Sequence, residues 1–165
     1  MGSQKKIERQ FLDVYDSHAD AVFRHCYFRV YSRERAKEIM QEAFMRAWEC
    51  MAGGQEVQNL KALVYKIANN LVIDESRKKK EQSLEALHEA GFDPGQGGEQ
   101  EFHEYVDGRQ LLKQLDLVEE EYRQVVYMRF IDDLKPKEIA EVLGESVNVI
   151  SVRIHRGVAK LRQSL

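Results

Sequence analysis

The sequence predicts an all-α chain built as two small helical domains. Three observations lead there. Apolar residues recur at three- and four-residue spacing almost throughout, as on amphipathic helices. Proline occurs only at Pro94 and Pro136, and no stretch of strand length alternates β-branched and polar residues. Between two such helical blocks lies EQSLEALHEAGFDPGQGGEQEFHEY, acidic and glycine-rich, with too little apolar surface to offset the entropy of ordering it. The expected division is a first domain over 1–80, a flexible acidic linker over 81–108 and a second domain over 109–165.

In the first block, Phe11, Leu12 and Tyr15 begin an apolar stripe that Ala19, Val22, Phe23, Cys26, Tyr27 and Val30 continue. Ser32 is placed to cap the next helix. That helix carries Ala36, Ile39, Met40, Ala43, Phe44, Ala47 and Trp48 on one face, and Lys37, Glu38, Gln41, Glu42, Met45 and Arg46 on the other. Gly53 and Gly54 stop it, and MAGGQEVQN makes a loop. A third stripe, Leu60, Leu63, Val64, Ile67 and Leu71, runs into DESRKKK. Three amphipathic helices of this kind can pack as a bundle.

The second block opens with Leu111, Leu112 and Leu115, then Tyr122, Val125, Val126 and Phe130. DDLKP breaks the helix, and Pro136 suits the first turn of its successor because that turn needs no proline N–H. Ile139, Ala140 and Leu143 are expected to face inward, and Gly144 to take the left-handed conformation of a turn. Ser146 or Asn148 then caps a last helix with Ile150, Ile154, Val158 and Leu161 buried.

Charge is distributed unevenly. The formal net charge is -3, so nothing global marks the chain as a nucleic-acid binder. Residues 1–80 nevertheless carry a net +4, residues 81–121 carry -10 and residues 122–165 carry +3. No apolar run approaches a membrane span and the N-terminus lacks a signal peptide's apolar core, so a cytoplasmic protein is expected. Cys26 and Cys50 stand singly within helical patterns and read as free thiols. The five histidines are scattered, and neither a nucleophile elbow nor a phosphate-binding loop occurs, so no catalysis, metal, cofactor or small-molecule substrate is expected.

The last helix carries most of the functional information. With 100° per residue, Ile154, Val158 and Leu161 fall on the side of Ile150. Asn148, Val152, His155, Arg156 and Ala159 fall opposite, flanked by Arg153 and Lys160, and no acid follows Glu145. Two short helices, a glycine turn and a polar-basic second helix make a helix-turn-helix pattern. Such a helix can enter a major groove, its outward side chains reaching base edges while Arg and Lys neutralise phosphates. A helical hairpin with a merely solvated basic face has the same local pattern.

The stretch from EEEYRQVVYMRF to HRGVAKLR resembles region four of bacterial RNA polymerase sigma factors, at Glu138-Ile139-Ala140, Leu143-Gly144, Arg153, Arg156 and Leu161. ERAKEIMQEAFMRAWE is similar to region two's core-binding helix at Ala36, Glu38, Gln41, Glu42, Phe44, Arg46 and Trp48. KALVYKIANNLVIDESRKKK resembles the minus-ten melting and recognition segment at Tyr65, Ile67, Ala68, Asn70, Asp74 and Arg77. Two regions joined by a short acidic linker resemble the extracytoplasmic-function group. The resemblance implies a transcription initiation factor that binds core RNA polymerase and promoter DNA and is held by an anti-sigma factor.

Carried over residue by residue, it implies polymerase docking through Glu38, Gln41, Glu42 and Arg46. Minus-ten contacts fall to Tyr65, Asn69, Asn70, Asp74, Arg77, Lys78, Lys79 and Lys80, although a basic run at a helix end also complements the helix dipole. Minus-thirty-five contacts fall to Asn148, Ser151, Val152, Arg153, His155, Arg156 and Lys160. The loop over 51–59 resembles by position the one that captures a flipped base, where Gly53 and Gly54 permit close approach. Leu63 stands where the family usually has Trp, Lys37 replaces a common acid, and Val149-Ile150 replaces a usual Thr-Val. Two other functions fit parts of the pattern. One is a dimeric helix-turn-helix regulator. The other is a sigma-like decoy for an anti-sigma protein, which has no need of Arg77–Lys80, Arg153 and Arg156.

Overall fold

A computed structural model describes the backbone of residues 2–86 and 106–164, and the side chains of 2–79 and 110–164. Seven α-helices and no strand occur among the described residues: α1 (Gly2–Val30), α2 (Arg33–Ala52), α3 (Leu60–Ala86), α4 (Val106–Leu115), α5 (Glu120–Phe130), α6 (Pro136–Leu143) and α7 (Val147–Ser164). The chain divides into two compact units, Met1–Asp93 and Pro94–Leu165. Helix α3 continues to Ala86, past the expected end of the first domain, because EQSLEA consists largely of good helix formers. The rest of the expected linker, 87–105, lies outside the described residues.

In the first unit α1, α2 and α3 pack pairwise into a three-helix bundle. Ser32 has extended backbone (φ -131°) and its Oγ accepts the Arg35 N–H at 3.3 Å, capping α2 as expected. Ala36, Ile39, Ala43, Phe44 and Ala47 are all buried, and the alanines let α2 approach its neighbours closely. Phe11 and Tyr15 pack edge-on against Phe44, at 6.0 and 4.9 Å between centroids, and Phe11 also meets Trp48 at 5.2 Å. Leu12, expected in the α1 stripe, is exposed, because Phe11 and Tyr15 already fill the contact. At the other end of the bundle, Arg35 pairs with Glu75 at 2.9 Å, and the Lys79 ammonium donates to the Val30 carbonyl at 2.8 Å. That donor satisfies one of the carbonyls left open where α1 ends. Cys26 is buried and Cys50 half-buried, both as thiols.

In the second unit α7 packs on α4, α5 and α6. Pro136 opens α6, and the Glu138 carboxylate accepts the Lys135 N–H at 3.1 Å. Gly144 ends α6 in the left-handed region (φ 68°, ψ 34°), which an L side chain would strain. Between the two expected caps the structure selects Ser146, whose Oγ accepts the Val149 N–H at 3.2 Å. Ile139, Val142, Ile150 and Leu161 are buried, while Leu143 is only half-buried, so Val142 takes the inward position expected of it. Phe130, expected inside, is 60% exposed at the last turn of α5, and the Arg129 guanidinium lies 5.8 Å from its ring centroid. Helix α7 crosses α5 tightly at Gly157, where an added Cβ would lie 2.5 Å from Val126 Cγ2 and 3.3 Å from the Tyr122 carbonyl.

Candidate nucleic-acid interface

Helix α7 presents the expected face. Its apolar side is anchored by Ile150 and Leu161 and seated on α5 through Gly157, which leaves Asn148, Ser151, Val152, His155 and Arg156 exposed. Arg153 is half-buried and pairs with Glu145 in the preceding turn at 3.4 Å, which aims its guanidinium along the start of the helix. Lys160 behaves differently. Its ammonium binds Glu119 at 3.0 Å and stands 5.1 Å from the Tyr122 ring centroid, so it tethers α7 to the start of α5. The Glu119 backbone N–H and the Lys160 ammonium together hold the Glu119 carboxyl below the usual carboxylate range. Asn148, Val152, Arg153 and Arg156 border a groove of ≈ 430 Å³ against Glu121 and Tyr122.

A second polar surface runs along α3. Asn70, Asp74 and Arg77 share one exposed line at helical spacing, with Lys78 and Lys79 beside them. Lys66 is exposed on the same line, one turn before Asn70, at an i, i+4 spacing that the sequence displays. The Lys80 side chain lies outside the described residues.

Two of the expected minus-ten residues are not on this surface. Tyr65 is 1% exposed, its ring edge-on to His25 at 5.6 Å, and Asn69 is 1% exposed with its Oδ1 accepting from the Arg29 guanidinium. Both sit in the α1–α3 contact, because α3 is enclosed on two sides and its buried stripe extends past Val64, Ala68 and Val72 to the adjacent positions. In this conformation neither offers a surface to a base. Both instead contact α1, Tyr65 through His25 and Asn69 through Arg29.

On α2 the polar face is open. Glu38 and Gln41 are exposed, Glu38 bonds Arg35 at 2.9 Å, and Glu42 bonds Arg46 at 2.7 Å. Met45, 56% exposed, places an apolar side chain among these charges. The loop after α2 turns at Gly54 (φ 89°), and the Asn59 side-chain oxygen caps α3 by accepting the Ala62 N–H at 3.1 Å. Among the described residues no helix is long and apolar enough to cross a membrane.

These surfaces define a helical protein with a helix-turn-helix unit for DNA and a separate three-helix unit carrying basic and acidic faces. The sequence models described as Sigma-70 region 2 and Sigma-70, region 4 match residues 14–82 and 108–161. The chain is 30% identical to the ECF RNA polymerase sigma factor SigW of Bacillus subtilis, over 98% of its own length and 92% of that protein's. Its fold resembles that of CnrH, solved in complex with the cytosolic domain of CnrY (TM-score 0.69, 20% identity, 94% of this chain and 87% of that one). It also resembles the sigma factor RpoE of Bartonella quintana, solved with the anti-sigma factor NepR (TM-score 0.67, 17% identity, 94% and 96% covered). The chain belongs to the ECF RNA polymerase sigma factors. It is a transcription initiation factor that directs RNA polymerase to promoters, and the dimeric-regulator alternative falls away.

Proposed function

We propose that this sigma factor divides its work among three surfaces. The outer face of α7, with Asn148, Ser151, Val152, Arg153, His155 and Arg156, binds the minus-thirty-five element. The α3 line of Asn70, Asp74 and Arg77, joined by Lys66 and the basic run Lys78–Lys80, holds the minus-ten region, and the loop over 51–59 receives an unpaired base. The polar face of α2, with Glu38, Gln41, Glu42 and Arg46 around Met45, docks on core polymerase. Lys160 supports the first surface by tethering α7 rather than by reading DNA.

The observation that carries this reading is the acid-free exposed face of α7, fixed at its start by the Ser146 cap and flanked by cations. Phosphate neutralisation supplies affinity there and side chains facing base edges supply selectivity. We read the domains as 1–80 and 109–165, the first prolonged by α3 to Ala86, and the acidic segment between them as kept away from DNA by its charge. The protein works in the cytoplasm, carries out no bond chemistry of its own and needs no cofactor. CnrH and RpoE were each solved with a protein partner, and NepR is an anti-sigma factor. An anti-sigma protein is accordingly the partner we assign to this chain as well.

Run-off transcription with purified core polymerase tests the reading. Adding the chain should produce transcripts from a subset of promoters that core alone ignores. Binding to an anti-sigma protein without core binding or any promoter-directed transcript would favour the decoy role instead.

A further inference from the structure

On the exposed face of α7, where Ala159 is the other apolar residue and the rest are hydrogen-bonding or charged, Val152 keeps 47% of its surface open. A β-branched side chain is a poor choice for an exposed helix position, and here nearly half of it gains nothing from packing. Its position is specific. Asn148 stands one turn before it and Arg156 one turn after, both exposed, and all three border the groove beside Tyr122. Each step between them is about 6 Å along the helix axis. Base pairs repeat every ~3.4 Å, so the three side chains reach across a window of about three to four pairs.

Asparagine and arginine can bond adenine and guanine edges in the major groove. Valine has no donor or acceptor, and the one apolar feature of that groove is the C5 methyl of thymine. Resting on the reading of α7 as the minus-thirty-five surface, we infer that Val152 is a specificity-determining residue that selects one thymine through its methyl group. Asn148 and Arg156 supply the polar contacts on either side of it.

The test removes only that methyl. A duplex is selected from a randomised pool by holoenzyme containing the full chain. Each thymine of its minus-thirty-five element is then replaced singly by deoxyuridine, which keeps every hydrogen bond. Wild-type holoenzyme should lose about fourfold in affinity at one position, the value of one methyl withdrawn from contact. The V152A holoenzyme should bind thymine and deoxyuridine duplexes equally at that position. Folding is not at issue, since Val152 lies outside the core and alanine is the better helix former.

Wild-type binding that is sequence-selective and salt-dependent, yet indifferent to deoxyuridine everywhere, would overturn the inference and leave the assignment of α7 intact. Equal deoxyuridine sensitivity in V152A would also overturn it, by giving the methyl to another residue. A holoenzyme with no upstream sequence preference would remove the assignment of α7 itself, and this inference with it.

Discussion

Helices α3 and α7 carry the same kind of sequence, an apolar stripe interrupted by amides and cations, yet they expose it differently. On α7 the amide Asn148 and the cation Arg156 are at the surface. On α3 the neighbouring amides Asn69 and Asn70 are split, one inside the bundle and one outside. The cause is enclosure. Helix α3 is held by α1 and α2 at once, and His25 and Arg29, one turn apart on α1, meet Tyr65 and Asn69, one turn apart on α3. A polar residue at the edge of an apolar stripe is therefore ambiguous until the number of neighbouring helices is known.

The largest effect should come from the tight crossing in the second unit. In G157L the new Cβ must displace Val126 and press on the Tyr122 backbone. Overpacking of this kind costs about 1–3 kcal/mol, more than the ~0.8–1.0 kcal/mol a helix gains by losing a glycine. Hydrogen exchange in α5 and α7 should quicken while α1–α3 stay protected. Unchanged exchange in α7 would mean that the crossing opens freely.

Next come the paired amides of α3. N69A leaves the Arg29 guanidinium without its Asn69 acceptor at a part-buried site, and about 1–3 kcal/mol of stability should go with it. N70A should change stability by less than about 0.5 kcal/mol and instead weaken promoter opening, measured by permanganate reactivity of the minus-ten region. If both variants were stable and both defective in opening, Asn69 would reach DNA after all, through a conformation different from this one.

Helix ends were legible because their chemistry is local. Ser32, Pro136, Gly144 and Ser146 act within three or four residues of themselves, and each does in the structure what the sequence suggested. The exposed face of α7 was legible too, since one side of that helix is plainly apolar. Leu12 and Phe130 are exposed despite lying on apolar stripes, because helical spacing cannot say where a neighbouring helix ends or which aromatic fills the contact first. Nothing in the sequence marks Gly157, whose role depends on Tyr122 and Val126 from another helix. The burial of Tyr65 and Asn69 depends in the same way on His25 and Arg29.

A smaller effect separates the cations of α7 by what they already hold. R153A together with R156A should leave the fold stable within about 0.5 kcal/mol. Holoenzyme affinity for upstream promoter duplex should fall roughly tenfold, with the slope of log affinity against log salt shallower by about 2. K160A removes a tether to Glu119, so its slope should move by less than that of R156A alone. Equal slopes for K160A and R156A would make Lys160 a phosphate contact.

The smallest effect compares two lowered carboxyls, one in each unit. Glu75 is held below its ordinary value of 4.5 chiefly by its hydrogen bond to Arg35, and its side chain is only 18% exposed. A depressed carboxyl stabilises the folded state above the unfolded-state value and loses that contribution as pH falls through the folded-state value. E75Q should therefore cost about 1 kcal/mol near neutral pH, the upper end for an ion pair that solvent still reaches through the Arg35 side. That difference should shrink below pH ~4.3 and vanish once Glu75 is protonated in both states. Glu119 is lowered too, but it lies open to solvent, where water and salt screen its bond to Lys160. E119Q should give a weaker acid limb that high salt reduces, since the Lys160 contribution is screened while the hydrogen bond from the Glu119 backbone N–H is not, and the E75Q limb should change less with salt because its pair is better shielded. The measurement is thermal unfolding of each variant against the parent chain from pH 3 to 7 at low and high salt. An E75Q difference that stayed constant across that range would mean that the glutamine disturbs packing between α2 and α3, and that the Arg35 pair contributes no charge-dependent stability.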